Sequence, residues 1–242
     1  MKKHLEDNGR NYKMSKDKRI DALIQTIRAD PHWEIIIRPF DFKKERITKL
    51  SECWNLMENC RVTLRGWDYP HVDRRQENST LGEDWIASWC ELFMGHQEFW
   101  KFFQSGQFIH YLSFWENSKR EEAAKRAISN VLFAPKDFKP SGYISVLSTL
   151  DTLTEIFKFT SCLANKGVFG GYVIMTLKML GIKDHLLFMW DPGRILHGCY
   201  SATQSLLEKQ LTIDTPELIS NSAEISLNTT LWFFERFKWF DP

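Results

Sequence analysis

Residues 84–116 read DWIASWCELFMGHQEFWKFFQSGQFIHYLSFWE and carry eleven aromatic side chains. Each such ring buries roughly 150–250 Å² when it is packed, so we expect this stretch to form the centre of the core. We interpret the rings as structural rather than as a platform for stacking bases, although their spacing does not separate the two roles. The aromatic residues are Trp85, Trp89, Phe93, Phe99, Trp100, Phe102, Phe103, Phe108, Tyr111, Phe114 and Trp115.

The sequence predicts the secondary structure of the second half of this stretch, whereas the first half fits either a helix or a strand. Residues 107–115 follow Ser105-Gly106 and are predicted to form a strand. Trp85, Trp89 and Phe93 fit one face of a helix, whereas the alternation over Trp85–Glu91 fits a strand. Both interpretations stay open at this stage.

Strands and helices are predicted to alternate on both sides of the aromatic stretch. Trp33–Arg38 is rich in β-branched residues and ends at Pro39, which predicts a strand. Residues 143–150 fit either a strand or the start of a helix. Apolar spacing predicts helices over 20–30, 44–59, 117–130, 154–165 and Pro216–Phe240, a short strand over 61–65, and a hairpin of 172–180 with 185–190.

Composition places the chain among folded globular proteins. It has 242 residues, 43% hydrophobic and 26% charged, with a formal net charge of +1. This excludes collagen-like, low-complexity and wholly disordered chains, and it provides no overall attraction to nucleic acid or membranes. We predict a single α/β (α+β) domain over 20–242, with a mixed β-sheet flanked by helices and a long C-terminal helix. Residues 1–19 are expected to be a flexible basic tail, and a weak internal boundary is expected near 131–142.

The cysteines and the N-terminus indicate a cytoplasmic protein. Five cysteines at scattered spacing make a poor disulfide framework and contain no zinc-binding pair. The first residues lack the apolar core of a signal peptide, and no stretch reaches the about 18 apolar residues of a membrane span. We therefore expect reduced thiols, a cytoplasmic location and no membrane contact.

The densest group of polar and aromatic side chains is RVTLRGWDYPHVDRR, residues 61–75. Guanidinium groups bind phosphate or carboxylate through paired hydrogen bonds, and aromatic rings stack on bases or other planar groups. A strand end that leads into a loop is a common ligand position in α/β proteins. The alternative is that the rings pack internally and the arginines pair with Asp68 and Asp73. We predict a ligand-binding site made by Arg38, Arg61, Arg65, Trp67, Tyr69, His71 and Arg74.

Candidate catalytic groups are few. His71 lies beside the arginines, and His110 follows Ser105 by five residues, so these two histidines are the candidates for acid–base catalysis. Arg65 and His71 also have the spacing used by one class of helical ribonucleases. Gly66 and Pro70 disfavour a helix between them, and we reject that interpretation.

Sequence motifs for cofactors and metals are absent. The sequence contains no phosphate-binding loop, no GxGxxG fingerprint, no HExxH pair and no spaced acidic cluster. We therefore predict no cofactor and no metal. Glu155 and Lys158 lie three residues apart in a predicted helix, and we expect them to stabilise its exposed face.

Four motifs together resemble a known family. They are WEIIIRP at 33–39, RGWDYPH at 65–71, SGQFIHY at 105–111 with TEIF at 154–157, and FFERFKW at 233–239. The chain resembles an uncharacterised prokaryotic domain found alone or fused to Alba-linked predicted DNA- or ATP-binding modules. The resemblance covers nearly all of residues 31–240 and implies an accessory or sensory role beside nucleic-acid-handling or antiviral defence proteins.

These observations lead to a ranked set of functional hypotheses. We predict a non-enzymatic recognition, sensor or adaptor subunit that binds a nucleotide, a nucleic acid or a partner protein through the Arg/aromatic loop. The alternative is a metal-independent nuclease or nucleotide-processing enzyme that uses Arg65, His71 and His110. A further hypothesis is a homo-oligomer held by the C-terminal aromatic helix, whose rings exceed what one helix face can bury.

Overall fold

The computed structural model describes residues 16–91, 96–131 and 138–240. Within these ranges the helices are α1 (Lys16–Ala29), α2 (Leu50–Asn59), α3 (Arg120–Asn130), α4 (Val146–Asn165) and α5 (Thr215–Arg236), and a 3-10 helix, Trp115–Lys119, leads into α3. The strands are β1 (His32–Pro39), β2 (Val62–Thr63), β3 (Asp68–Tyr69), β4 (Ser79–Leu81), β5 (Trp85–Glu91), β6 (Gln97–Phe103), β7 (Phe108–Ser113), β8 (Gly142–Ser145), β9 (Tyr172–Leu180), β10 (His185–Phe188) and β11 (Leu206–Asp214).

Seven strands form one antiparallel sheet in the order β11-β9-β1-β7-β6-β5-β4. The predicted strand Trp33–Arg38 is β1, an interior strand between β9 and β7, and its residues Trp33, Ile35 and Ile37 are buried in the main core with α4 and α5. The predicted fold class is confirmed: helices flank a sheet and a long helix closes the chain. The main sheet itself is antiparallel and not mixed as expected, because each of its strand pairs is antiparallel. Parallel pairing occurs in a separate two-stranded sheet of β8 and β10.

The aromatic stretch supplies three neighbouring strands, β5, β6 and β7. The open question over Trp85–Glu91 is resolved as a strand, because this part of the sheet is covered on both faces. Ile86 joins the main core, whereas Ala87 and Trp89 pack against α1. A strand buried on both faces needs no polar alternation, which is why the sequence pattern also fits a helix. Phe93 lies outside the described residues.

The aromatic C-terminal helix is largely used inside its own chain. Phe233, Phe234 and Phe237 are buried in the main core, and Phe233 packs edge-on against Trp33 of β1 with ring centroids 5.3 Å apart. Phe240 is 72% exposed. Three of the rings that suggested an oligomer interface on this helix are therefore already buried within the chain.

Two local predictions are wrong for reasons of tertiary contact. Residues 172–180 and 185–190 form no hairpin, because β10 pairs in parallel with β8 while β9 pairs with β1 and β11. The helix predicted from residue 44 begins at Leu50, because the backbone N–H groups of Arg46 and Ile47 both donate to Gln104 O at 2.9 Å. The ambiguous segment 143–150 contains both the end of a strand and the start of a helix.

The boundaries and the covalent state also differ from the sequence predictions. Residues 16–19 of the predicted tail belong to α1, and residues 1–15 and 132–137 lie outside the described ranges. Cys60 and Cys162 form a disulfide with their Cα atoms 5.4 Å apart, which corrects the expectation of five reduced thiols. No helix within the described ranges is both long and apolar enough to cross a membrane.

Candidate functional site

A cleft of about 900 Å³ lies at the end of the sheet where β1 begins and β7 ends. One row of paired residues crosses its floor: Glu98 of β6 pairs with Leu112 of β7, which pairs with Trp33 of β1. Residues 65–69, the first turns of α4 and one face of α3 complete the lining. Cavities of this size bind small organic ligands in proteins.

An ion pair holds the start of the 65–69 wall. The Arg65 guanidinium donates two hydrogen bonds to the Glu155 carboxylate of α4, one of them from Nε at 3.3 Å. Glu155 is buried, and burial raises the pKa of its carboxyl although Arg65 opposes this effect. Gly66 then has a φ of +78°, a backbone conformation that glycine adopts without steric cost, and this turns the chain into Trp67.

The end of the same wall is held by buried side chains of β6. The His71 backbone N–H donates to Glu98 Oε1 at 2.9 Å, and Trp100 Nε1–H donates to the His71 carbonyl at 2.7 Å. The backbone N–H and C=O groups of His71 are therefore both hydrogen-bonded to side chains of β6. Together with the Arg65 ion pair, these bonds fix the RGWDYPH segment at both ends.

A chain of three buried groups lies behind the cleft floor. His110 Nε2 lies 3.0 Å from Glu98 Oε2, and His110 Nδ1 lies 3.2 Å from the Tyr69 hydroxyl. Burial raises the pKa of Tyr69 well above its usual value, so its hydroxyl stays protonated beside His110 Nδ1. Burial also raises the pKa of Glu98, but the hydrogen bond from His110 and the nearby His96 outweigh it and hold this pKa at about 2.

Trp67 presents an aromatic surface at the cleft. Its ring is 37% exposed and stacks on the His71 ring with centroids 4.6 Å apart. His96 packs edge-on against Trp67 with ring centroids 5.5 Å apart, and its Nε2 has no hydrogen-bond partner among the residues the structure describes. The closest carboxylate, Glu98, is 3.7 Å from that nitrogen. A planar ligand therefore has the indole ring of Trp67 to contact here, whereas His96 Nε2 is buried beside Glu98.

The cleft also exposes hydroxyl groups of α4. Thr149 and Thr152 line it, are largely buried, and make no side-chain hydrogen bond within the described part of the chain. By contrast, Thr154 and Thr160 of the same helix donate to the carbonyls four residues earlier. The first pair is thus free to bind a polar ligand. Nearby Glu116 accepts from the Ser145 N–H at 3.1 Å, and burial raises its pKa.

Basic side chains of α3 form another wall of the cleft, and the sequence did not predict it. The residues of this helix that line the cleft are Glu122, Lys125, Arg126 and Ser129, one helical face, and Lys119 precedes them in the 3-10 helix. Lys119 lies over the Trp115 ring at 5.1 Å and 3.9 Å from the Glu122 carboxylate. Lys125 and Arg126 contact no carboxylate in the described ranges.

The structure brings some of the predicted ligand-binding residues together and separates others. Arg65, Trp67 and Tyr69 line the cleft, and His71 backs Trp67. The other three do not line the cleft. Arg61 pairs with Asp68 at 2.6 Å, Arg74 pairs with Glu58 at 2.6 Å, and Arg38 lies at the far end of β1 with its guanidinium over Phe42.

The internal pairing weighed as an alternative accounts for several of these charges. Arg61 pairs with Asp68, and Arg75 pairs with Asp73 at 2.6 Å, so the charges of these arginines are neutralised within the loop. The hydrogen bonds from Arg75 outweigh burial and lower the pKa of Asp73. Arg65 is paired as well, but it retains 35% exposure at the cleft.

Sequence reasoning missed the partners that fix this site. Glu155 was expected on an exposed helix face with Lys158, and this is wrong: it is 1% exposed and pairs with Arg65, ninety residues away in the sequence. Glu98 carries no local signal in the sequence. Its alternation with Trp100 on β6 becomes informative only after β6 is known to be a strand.

The two candidate catalytic histidines differ in access. His110 has no exposed surface and lies behind Tyr69 and Glu98, so it can reach a ligand only through one of these groups. His71 is partly exposed, and its ring is stacked on Trp67. No group of three or more His, Cys, Asp or Glu side chains in the described ranges is arranged to hold a metal ion.

Comparison of the chain with protein-family models, with curated proteins and with solved structures finds no match.

Proposed function

We propose that the protein is a recognition domain that binds a small ligand with a planar ring in the cleft. The observation that carries this proposal is the fixed, 37% exposed ring of Trp67 at a cavity of ligand size. Stacking of an aromatic side chain on a base contributes about 1–3 kcal/mol to binding. A ring that is already held in place loses little conformational freedom on binding, which favours affinity.

The shape and charge of the cleft favour a small molecule over the nucleic acid or partner protein that the sequence also allowed. Acidic side chains, Glu98, Glu116 and Glu155, lie among its lining residues together with the basic side chains of α3, so the described lining is not a continuous basic surface of the kind that binds a phosphate backbone. The net charge of +1 provides no compensating attraction for a polyanion. A bounded ligand can instead contact the aromatic wall and avoid the acidic floor.

The wider setting of this activity comes from the family resemblance and stays part of the proposal. In that setting the domain is a non-enzymatic sensor or adaptor subunit of a nucleic-acid-handling or defence complex, and ligand binding is the signal that it transmits. The alternative, a nuclease or nucleotide-processing enzyme that uses Arg65, His71 and His110, requires the buried His110 to act through Tyr69 or Glu98.

The test is titration of the purified protein with nucleosides and nucleotides, followed by calorimetry and by tryptophan fluorescence. Trp67→Ala should weaken binding by about 5- to 150-fold, the range that corresponds to the loss of one stacked ring. Tyr172→Ala is the matched control, because Tyr172 is an exposed ring on β9 outside the cleft lining.

The outcomes separate the hypotheses. Equal affinity of the wild type and Trp67→Ala, with both variants folded, would contradict the proposal, as would the absence of any binding at millimolar ligand. Product analysis after long incubation covers the enzymatic alternative: turnover that is lost in His110→Gln but retained in Trp67→Ala would favour catalysis over recognition.

A further inference from the structure

We propose that the ligand of this cleft is a phosphorylated nucleoside, and that its phosphate is bound by Lys125 and Arg126 of α3. This inference rests on the proposed function and adds the chemical class of the ligand. It is carried by the difference between the cleft cations that form ion pairs and those that contact no carboxylate within the described ranges.

The cations of the loop at 61–75 are already neutralised by carboxylates. Arg61, Arg65, Arg74 and Arg75 each form an ion pair with an acidic side chain. To bind an anion, each would have to give up a partner or share its donors. The loop therefore supplies a rigid wall rather than free positive charge.

Lys125 and Arg126 differ in this respect. Both line the cleft, and neither contacts a carboxylate in the described ranges. The orientation of α3 explains why they face the cleft: Ala123 and Ala127 pack into the core, while Ile128 on the outer side is 80% exposed. Because the buried alanines have short side chains, the two long basic side chains are the ones that extend from this helix into the cleft.

The charge available matches a phosphate group. A phosphate monoester carries about −1.5 to −2 charges at neutral pH and three acceptor oxygens. An arginine fork and a lysine ammonium on adjacent positions supply two positive charges and several donors. The nearest further cation, Lys119, lies close to Glu122, so it adds less net charge.

The acidic floor directs the anion to the α3 side. Glu98 is ionised and occupied by His71 and His110, and Glu155 is occupied by Arg65. The hydroxyls of Thr149 and Thr152 also line the cleft and have no hydrogen-bond partner in the described part of the chain. A ring at Trp67, hydroxyls at α4 and an anion at α3 correspond to the base, the sugar and the phosphate of a nucleotide.

The experiment measures a nucleoside, its 5′-monophosphate, its 5′-triphosphate and inorganic pyrophosphate by calorimetry at two salt concentrations. The monophosphate should bind about tenfold or more tightly than the nucleoside, and this gain should shrink at high salt. Lys125→Gln/Arg126→Gln should abolish the gain and the binding of pyrophosphate. Lys158→Gln/Lys166→Gln is the control, since it removes the same charge from exposed positions outside the cleft lining.

The results distinguish this inference from the proposed function. Equal affinity for nucleoside and monophosphate, with both weakened by Trp67→Ala, would overturn the phosphate site and leave ring recognition intact. A phosphate gain that persists in Lys125→Gln/Arg126→Gln, or that the control variant also loses, would overturn the assignment to α3. Pyrophosphate binding without any effect of Trp67→Ala on nucleotide affinity would support the anion site and contradict the ring site.

Discussion

Glu98 should contribute strongly to stability, because it joins the RGWDYPH segment to the sheet. Its carboxylate accepts from the His71 N–H at 2.9 Å and lies 3.0 Å from His110 Nε2, and it is 1% exposed. Glu98→Gln keeps the size of the side chain but replaces one acceptor oxygen by a donor NH₂. One of the two donors, at His71 or at His110, then loses its acceptor.

The size of the effect follows from the pKa. The Glu98 pKa falls from its usual 4.5 to about 2 in the folded protein, and each unit is worth about 1.4 kcal/mol. The carboxylate therefore stabilises the fold by about 3 kcal/mol at neutral pH, on the order of two hydrogen bonds to a charged acceptor. Because the folded pKa is lowered, this stability is present above pH 4.5 and is lost as the pH falls toward 2.

The assay is denaturant unfolding followed by tryptophan fluorescence, repeated between pH 7 and pH 3. Glu98→Gln should lower the free energy of unfolding by about 3 kcal/mol at pH 7, and the deficit should shrink below pH 4.5. Glu91→Gln is the control: this exposed carboxylate on β5 is 3.6 Å from Arg19, a surface pair that contributes less than about 1 kcal/mol. Equal unfolding free energies for wild type and Glu98→Gln at pH 7 would refute the anchoring role of this carboxylate.

Two further predictions concern the loop and its attachment to α4. Arg65→Met leaves the Glu155 carboxylate buried without its cation. The free energy of unfolding should therefore fall more at pH 8 than at pH 5, because protonation of the Glu155 carboxyl at the lower pH relieves the cost. An equal loss at both pH values in denaturant unfolding would contradict this prediction. Cys60→Ser removes a cross-link between residues 102 positions apart and should lower the free energy of unfolding by about 2–5 kcal/mol. A reducing agent should lower the free energy of unfolding of the wild type but leave the variant unchanged.

The parts of the fold predicted from the sequence are those with a strong local pattern and clear ends. The β-branched run before Pro39 is the interior strand β1, and the apolar spacing after Pro216 marks α5. Trp85–Glu91 stays ambiguous from sequence because burial on both faces removes the polar alternation that identifies a strand. The parallel pairing of β10 with β8 joins segments about forty residues apart, and no local pattern encodes such a choice.

The residues that line the cleft follow only in part from the sequence, for the same reason. The Arg, Trp and Tyr density of the loop marks Arg65, Trp67 and Tyr69, which do line the cleft. The partners that fix the loop come from distant segments, so local periodicity assigns Glu155 to a surface pair that does not form. Lys125 lies in a charged helix whose sequence resembles any solvated helix, and only the packing of α3 turns it toward the cleft.

The distribution of charges also distinguishes basic residues that stabilise the fold from basic residues that are proposed to bind the ligand, a distinction that the sequence does not show. The arginines of the loop are bound to carboxylates and hold Trp67 in place, so their removal should be felt first in the free energy of unfolding. Lys125 and Arg126 have no such partner in the described ranges, so their removal should change ligand affinity with little effect on stability. A rigid wall built by internal ion pairs, with two further cations that contact no carboxylate in the described part of the chain, is consistent with recognition of a small anionic ligand, because preorganisation and attraction come from different groups.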